Sequence, residues 1–227
     1  IMYFTYSCPI NGQDLGAKIY TSTRASGEWG EGQELKLYAD SSITVGHPAL
    51  SAHGCTLYFV SDAPGGFGGK DIYMAILNGS EWTDIQNLGP QINTADDDLF
   101  PHIRPDGRLY FSSKGHPGYG GLDLFYAEIN PEASSQHPDT IQWNIFNMGA
   151  PFNSINDDFG ITFAGVTENG FFSSNRGQKK GYDQIYSFTL PAMEFLVEGT
   201  IRNTDNEPVG DATIRLVGDD GTNIKAQ

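Results

Sequence analysis

The stretch "LYFVSDAPGGFGGKDIYMA" (Leu57–Ala75) returns as "LYFSSKGHPGYGGLDLFYA" (Leu109–Ala127). It returns again as "GFFSSNRGQKKGYDQIYSF" (Gly170–Phe188) and, degraded, as "MYFTYSCPINGQDLGAKIYTS" (Met2–Ser22). The first aromatics, Tyr3, Tyr58, Tyr110 and Phe171, are spaced by 55, 52 and 61 residues. Trp29, Trp82 and Trp143 each precede the next such aromatic by 29, 28 and 28 residues, so the long third interval is one insertion at Asn130–Thr140. A period of this kind restricts the chain to a repeat architecture, in which each unit buries its apolar faces against its neighbours.

Each unit reads as four short strands. Strand a is an apolar stretch such as "VGHPALS", "LFPHIRP" or "FGITFAG"; strand b resembles "RLYFSS"; a Gly-rich loop leads to strand c ("DIYMAIL"); and the tryptophan marks an outer strand d. A lone four-stranded sheet with two apolar faces cannot bury both. Packing the copies face to face around an axis solves this, which predicts an all-β fold built as a β-propeller of four-stranded blades. Gly, Asp, Asn, Ser and aromatic residues dominate, and no window has a sustained helical period, so almost no helix is expected.

The loop "GGFGGKD" invites comparison with phosphate-binding loops, and it fails. The first glycine of such a motif falls on Pro64 and its hydroxyl position on Asp71; a dinucleotide motif needs a third glycine where Asp71 stands. The glycines are instead expected to be hairpin residues with positive φ. Asp71, Asp123 and Asp183 are expected to accept backbone N–H bonds that fix the turn.

The net charge of −15 disfavours nucleic acid and anionic membrane surfaces, and no apolar run is long enough to span a membrane. The chain opens on strand-like "IMYFTYS" with no signal peptide and reads as a fragment. Cys8 and Cys55 make neither a disulfide framework nor a metal site. Placed at the end and the start of their b strands, they belong on opposite faces and are not expected to pair.

The combination "YFSS…GGxGGxDIY" resembles the WD40-like, TolB-type propeller repeats of Bacteroidetes cell-envelope proteins of the OmpA/Pal class, including lipoproteins of the type IX secretion machinery. The resemblance covers Met2 to about Phe188. The tail "VEGTIRNTDNEPVGDATIRLVGDDG" (Val197–Gly221) is similar to the opening of the carboxypeptidase-regulatory-like β-sandwich that follows such propellers. The resemblance implies repeats over 1–192, with the N-terminal blade incomplete, and first sandwich strands over 193–227. It implies five blades in the parent, of which four are visible here. Phe195 opens either the outer strand of the fourth blade or the sandwich. The chain departs from the pattern in Ala17, which replaces the usual Asp, and in lacking strand a of the first repeat and the anchoring domain.

No cofactor, catalytic set or metal site is expected. "TADDDLF" and "SINDDFG" align Asp97 with Asp157 and Asp98 with Asp158 at the start of strand a, where blade two has Thr44 and Val45. These aspartates are expected to cap turns, with a weak calcium site as the most they hold. The histidines form no metal cluster: His47 aligns with Phe100, His102 with Ala49, and His53, His116 and His137 fall in turns or the insertion. The tryptophans are expected to pack between blades, while Phe67 and Tyr119 at the loop tips are contact candidates.

The resemblance implies a non-enzymatic, periplasmic scaffold of an outer-membrane-associated complex. Its partners would be protein components of that complex, with peptidoglycan bound only through a domain outside this chain. The alternative is a glycan-binding or glycan-hydrolysing propeller with Asp98 and Asp158 at the channel mouth.

Overall fold

The computed structural model describes residues 1–7, 16–136, 141–177, 182–190, 200–210, 214–217 and 223–226. Cys8, His137 and Phe195 lie outside the described residues, so the Phe195 alternatives and Cys8 have no structural account here; Cys55 is exposed as a free thiol. Contacts divide the chain into Ile1–Leu190 and Pro191–Gln227.

The first unit is all-β. Its first repeat contains β1 (Met2–Tyr6), β2 (Lys18–Ser22), β3 (Arg24–Ala25), β4 (Glu28–Trp29) and β5 (Gln33–Glu34). The second contains β6 (Val45–Leu50), β7 (Thr56–Ser61), β8 (Asp71–Asn78) and β9 (Glu81–Asn87). The third contains β10 (Asp98–Ile103), β11 (Leu109–Ser113), β12 (Asp123–Ile129), the helix α1 (Pro131–Gln136) and β13 (Trp143–Asn147). The fourth contains β14 (Asp158–Phe163), β15 (Asn169–Ser174) and β16 (Gln184–Thr189).

Strands β6–β9 and β10–β13 each form an antiparallel sheet in chain order; β1-β2-β5 and β14-β15-β16 are three-stranded. The helix lies in the expected insertion, where Asn130 Oδ1 accepts the Ala133 N–H at 3.0 Å as an N-cap does.

Repeat one departs from the expected pattern at its outer strand. Glu28–Trp29 closes a small hairpin with Arg24–Ala25, and pairing with β2 resumes only at Gln33–Glu34. The physical reason is local. "WGEGQEL" puts Gly30 and Gly32 where repeat two has "WTDIQNL", and glycine weakens a strand interior.

The core lies between sheets rather than within them. Ile19 of repeat one packs with Phe59 and Tyr73 of repeat two. Val60 and Ile72 of repeat two pack with Phe111, Phe125 and Trp143 of repeat three. Tyr110 and Leu124 of repeat three pack with Ile161, Phe163 and Phe172 of repeat four. The inner strands follow the same order, with β10 against β6 and β14 against β10, while β6 packs against β1, the b strand of repeat one. Arg104 adds a polar tie between repeats three and four: it is buried, lies over the Phe163 ring at 4.2 Å and bonds Glu168 at 2.7 Å.

Each complete inner strand bends at one place. The register slips between Gly46 and Ala49, Leu99 and His102, and Phe159 and Thr162. The bulged residues His47, Phe100 and Gly160 have φ of 49°, 54° and 65°. Only the last is the residue type that adopts this region freely.

In the second unit, β17 (Ile214–Val217) pairs antiparallel with β18 (Asn223–Ala226), and Arg202 bridges to Pro208.

Candidate functional site

The motif-bearing loops and the acidic strand starts meet at one kind of place, the joint where the b–c loop of one repeat seats on the turn before strand a of the next. Asp71 is buried, accepting the Phe67 N–H at 2.6 Å, the Gly68 N–H at 3.2 Å and an Asn87 amide N–H at 2.7 Å. Asp123 likewise accepts the Tyr119 and Gly120 N–H groups at 2.6 and 3.0 Å. The loop-fixing role expected of both aspartates is therefore present; in repeat four the register pairs Ser174 with Gln184 as Ser61 pairs with Asp71 and Ser113 with Asp123, so Gln184, and not Asp183 as expected, stands in this seat.

The glycines need a different explanation from the expected one. In the second repeat's loop only Gly65 has positive φ, at 92°. A Cβ on Gly68 would sit 2.3 Å from the Thr94 carbonyl oxygen and 2.5 Å from that of Asp96. On Gly120 it would sit 2.1 Å from the Asn156 carbonyl oxygen. These glycines permit backbone to approach backbone across the joint. The sequence showed their recurrence, but the reason lies in the following repeat.

Asp98 and Asp158 occupy equivalent seats and are both 0 % exposed. Asp98 Oδ2 accepts the Thr94 N–H at 2.6 Å and its hydroxyl at 2.9 Å; Asp158 Oδ2 accepts the same pair from Ser154 at 2.6 and 2.8 Å. Their second oxygens differ. Asp158 Oδ1 takes a charge-assisted bond from Arg176, whose guanidinium also donates to the Pro151 and Phe152 carbonyls. Asp98 Oδ1 has no hydrogen-bond partner within the protein. His116 stands where Arg176 does, its Nε2 3.0 Å from the Ile92 carbonyl, which is the counterpart of the Phe152 carbonyl. Burial pushes the Asp98 carboxyl above the usual carboxylate range, against the opposing pull of the Ser113 hydroxyl, the hydrogen bonds from Thr94 and the nearby His116.

Of the neighbouring aspartates, Asp157 ties its repeat to the one before, whereas Asp97 pairs within its own repeat. Asp157 Oδ1 accepts the Leu122 N–H at 2.8 Å and Oδ2 an Asn175 amide N–H at 2.9 Å; Asp97 pairs with Lys114 at 3.2 Å. Among the described residues, no group of three or more His, Cys, Asp or Glu side chains is placed to hold a metal ion.

A second motif escaped the sequence reading. "NLGPQIN" (Asn87–Asn93) and "NMGAPFN" (Asn147–Asn153) carry paired asparagines. The buried Asn93 accepts the Ile72 N–H at 2.7 Å and donates to the Ile72 carbonyl at 2.9 Å; Asn153 does the same with Leu124. Each also donates to the first asparagine of its motif. The signal is the repeated asparagine spacing, which stands apart from the aromatic and acidic positions that set the period.

His47 and Phe100, aligned in sequence, stack ring on ring at 4.0 Å and 10°. The Phe100 N–H donates to His47 Nδ1 at 3.2 Å, whereas the equivalent N–H groups of His47 and Gly160 donate to Thr5 and Ser112 hydroxyls. Val60 occupies the hydroxyl's position in repeat two, so the imidazole supplies the acceptor. Burial, with Lys70 nearby, holds the His47 imidazole down to about 4. A cavity of about 160 Å³ beside it is lined by Val45, Val60, Lys70 and Asp97 among others. His102 stacks on Phe163 at 5.8 Å, and burial lowers its pKa too.

Trp143 is buried between repeats two and three, and Trp82 meets Tyr3 of repeat one edge-on at 6.3 Å. Trp29 is 49 % exposed, with Arg24 over its ring, so inter-repeat packing holds for two of the three tryptophans. Phe67 and Tyr119 are 47 % and 58 % exposed on the fixed loop tips.

No family model matches this chain, and no curated protein matches it. Among solved structures it is similar to TolB from Acinetobacter baumannii, with 12 % identity over 98 % of this chain and 51 % of that one, at a TM-score of 0.49. A puromycin-hydrolysing peptidase from Mycobacterium tuberculosis shares 17 % identity over 92 % of this chain and 29 % of that one, at 0.44. A puromycin hydrolase shares 11 % over 98 % and 40 %, at 0.40. The chain thus spans about half or less of these structures. Identities this low carry nothing about activity or ligands.

Proposed function

We propose that Ile1–Leu190 is an arc of a TolB-like β-propeller and that the chain serves as a non-enzymatic, protein-binding scaffold. Its setting in this reading is the periplasm, in an outer-membrane-associated complex of the type IX secretion kind. Pro191–Gln227 then begins a carboxypeptidase-regulatory-like domain, and peptidoglycan is held by an OmpA-like domain elsewhere in the parent. The observation that carries the scaffold reading is the disposition of the carboxylates. Asp98 and Asp158 are fully buried and hold their own turns, whereas a general acid or base must reach its substrate. Phe67 and Tyr119, by contrast, are presented on loops that buried aspartates hold rigid, and preordered aromatic side chains are effective binding anchors.

Photo-crosslinking from positions 67 and 119 in the parent cell envelope tests this directly. The expected adducts are envelope proteins, with the adduct from position 67 reduced by Tyr119→Ala and that from position 119 reduced by Phe67→Ala. Glycan or peptide hydrolysis that disappears in a folded Asp98→Asn or Asp158→Asn variant would replace the scaffold with an enzyme.

A further inference from the structure

The cavity beside His47 lies at an internal joint, with walls from repeats one, two and three. Ala17, Val45, Val60 and Leu99 form its apolar side, and Lys70 and His47 supply polar groups. Its volume is about 160 Å³, the space of roughly five waters at about 30 Å³ each.

The next joint carries different chemistry in the same seats. By strand register, Val60, Lys70 and the bulged His47 correspond to Ser112, Leu122 and Phe100. There the Ser112 hydroxyl accepts the Gly160 N–H, and Leu122 is buried. Between repeats two and three the hydroxyl is replaced by methyl groups, and two apolar side chains are replaced by an ammonium and an imidazole. Both of these have donors to spare. The imidazole is neutral at pH 7 and its Nδ1 accepts the Phe100 N–H, so the ring proton sits on Nε2. Among the described residues, neither this Nε2–H nor the Lys70 ammonium has a hydrogen-bond or ion-pair partner. Asp97 also borders the cavity, but its charge is matched by Lys114 at 3.2 Å. The unmatched charge here is therefore positive.

We propose that this cavity binds a short apolar carboxylate, with its oxygens on Lys70 and the His47 Nε2–H and its hydrocarbon body against Val45, Val60 and Leu99. A few convergent polar groups in an apolar hollow are what a small-molecule site consists of. A neutral apolar molecule leaves the two donors unpaired, and a compact inorganic anion leaves the apolar walls without contacts. The carboxylate with a short branched chain satisfies both.

Titration of the 227-residue chain with isovalerate at pH 7, followed by NMR, tests the proposal. Saturable shifts are expected at the His47 ring nitrogens and at the Lys70 and Phe100 amides, in the millimolar range suited to so small a ligand. Lys70→Met keeps the apolar stem, removes the charge and should weaken binding at least tenfold. Isovaleramide and inorganic phosphate should each bind at least tenfold more weakly than isovalerate. Ala17→Leu fills the cavity from its rim and should abolish binding. Lys70 is exposed and Ala17 only half-buried, and the unliganded spectra check that both variants fold; Val60→Leu replaces Ala17→Leu if it does not. No saturable shift at tens of millimolar isovalerate overturns the proposal, as do shifts that spare His47 or binding unchanged by Lys70→Met. Isovaleramide or phosphate binding as tightly as isovalerate also overturns it, because the charge or the apolar walls would then contribute nothing.

Discussion

Asp98 and Asp158 begin equivalent strands, are equally buried and take the same two bonds from Thr94 and Ser154. What differs is the cation site beside them. Arg176 bonds the second oxygen of Asp158 and caps two carbonyls, whereas His116 reaches only the carbonyl in repeat three and leaves Asp98 Oδ1 without a protein partner. Repeat two dispenses with the charge altogether, placing Val45 in that seat beside Ala63. A repeat conserves the backbone geometry of a joint while the chemistry filling it varies between charged, polar and apolar solutions. Each solution has its own stability and pH response.

The largest expected effect follows from removing the arginine. Arg176→Ala strands a buried carboxylate and also removes stacking over Phe172 and Tyr186. A loss of roughly 3–5 kcal/mol is expected, the range for breaking a buried pair from one side. Urea unfolding measures it, and a loss under about 1 kcal/mol would place the Asp158 charge in contact with water.

Next come the glycines. Gly68→Ala and Gly120→Ala force a Cβ against a carbonyl of the following repeat and should cost about 1–3 kcal/mol or more. Gly65→Ala has open space and only its φ of 92° to oppose it, which is worth about 1–2 kcal/mol. Equal losses from all three would mean that loop conformation, not approach between repeats, selects these residues.

A smaller effect is expected at His47. Its imidazole is held at about 4, below its ordinary 6.5, so the unfolded chain binds the proton more readily. The stability this neutral ring contributes is therefore fully present above pH 6.5 and lost as pH falls through about 4. His47→Phe keeps a ring for Phe100 to stack on but removes the acceptor of the Phe100 N–H. It should cost about 1 kcal/mol at pH 7 and flatten the stability profile between pH 6.5 and 4. An unchanged slope in that variant would assign the pH dependence elsewhere.

The sequence made the repeat, its strand order and the buried turn-fixing of Asp71 and Asp123 legible, because each depends on residues close together in one unit. The roles of Gly68 and Gly120 were not legible, since the atoms that exclude a side chain belong to the next repeat. The same holds for His47, whose role depends on Val60 lacking a hydroxyl and on Phe100 facing it. Asn93 and Asn153 were missed because an asparagine bonding backbone across a joint looks in sequence like any turn residue. Period reading finds what lies within a repeat, while the candidate site is made between repeats.

The central claim is that the acidic strand starts are structural parts of these joints, each tuned by its own neighbours. Unfolding free energies of Asp98→Asn and Asp158→Asn at pH 7 test it most directly. Burial raises the Asp98 carboxyl, so the stability of its protonated form is present below pH 3.8 and lost as pH rises through the raised value. An uncharged amide there should therefore be neutral or stabilising, while the same change at Asp158 discards a charge-assisted bond and should cost about 2–3 kcal/mol. Opposite or clearly separated signs support the account. Two equal, near-zero changes in stability, accompanied by loss of a binding or hydrolytic activity, would contradict it.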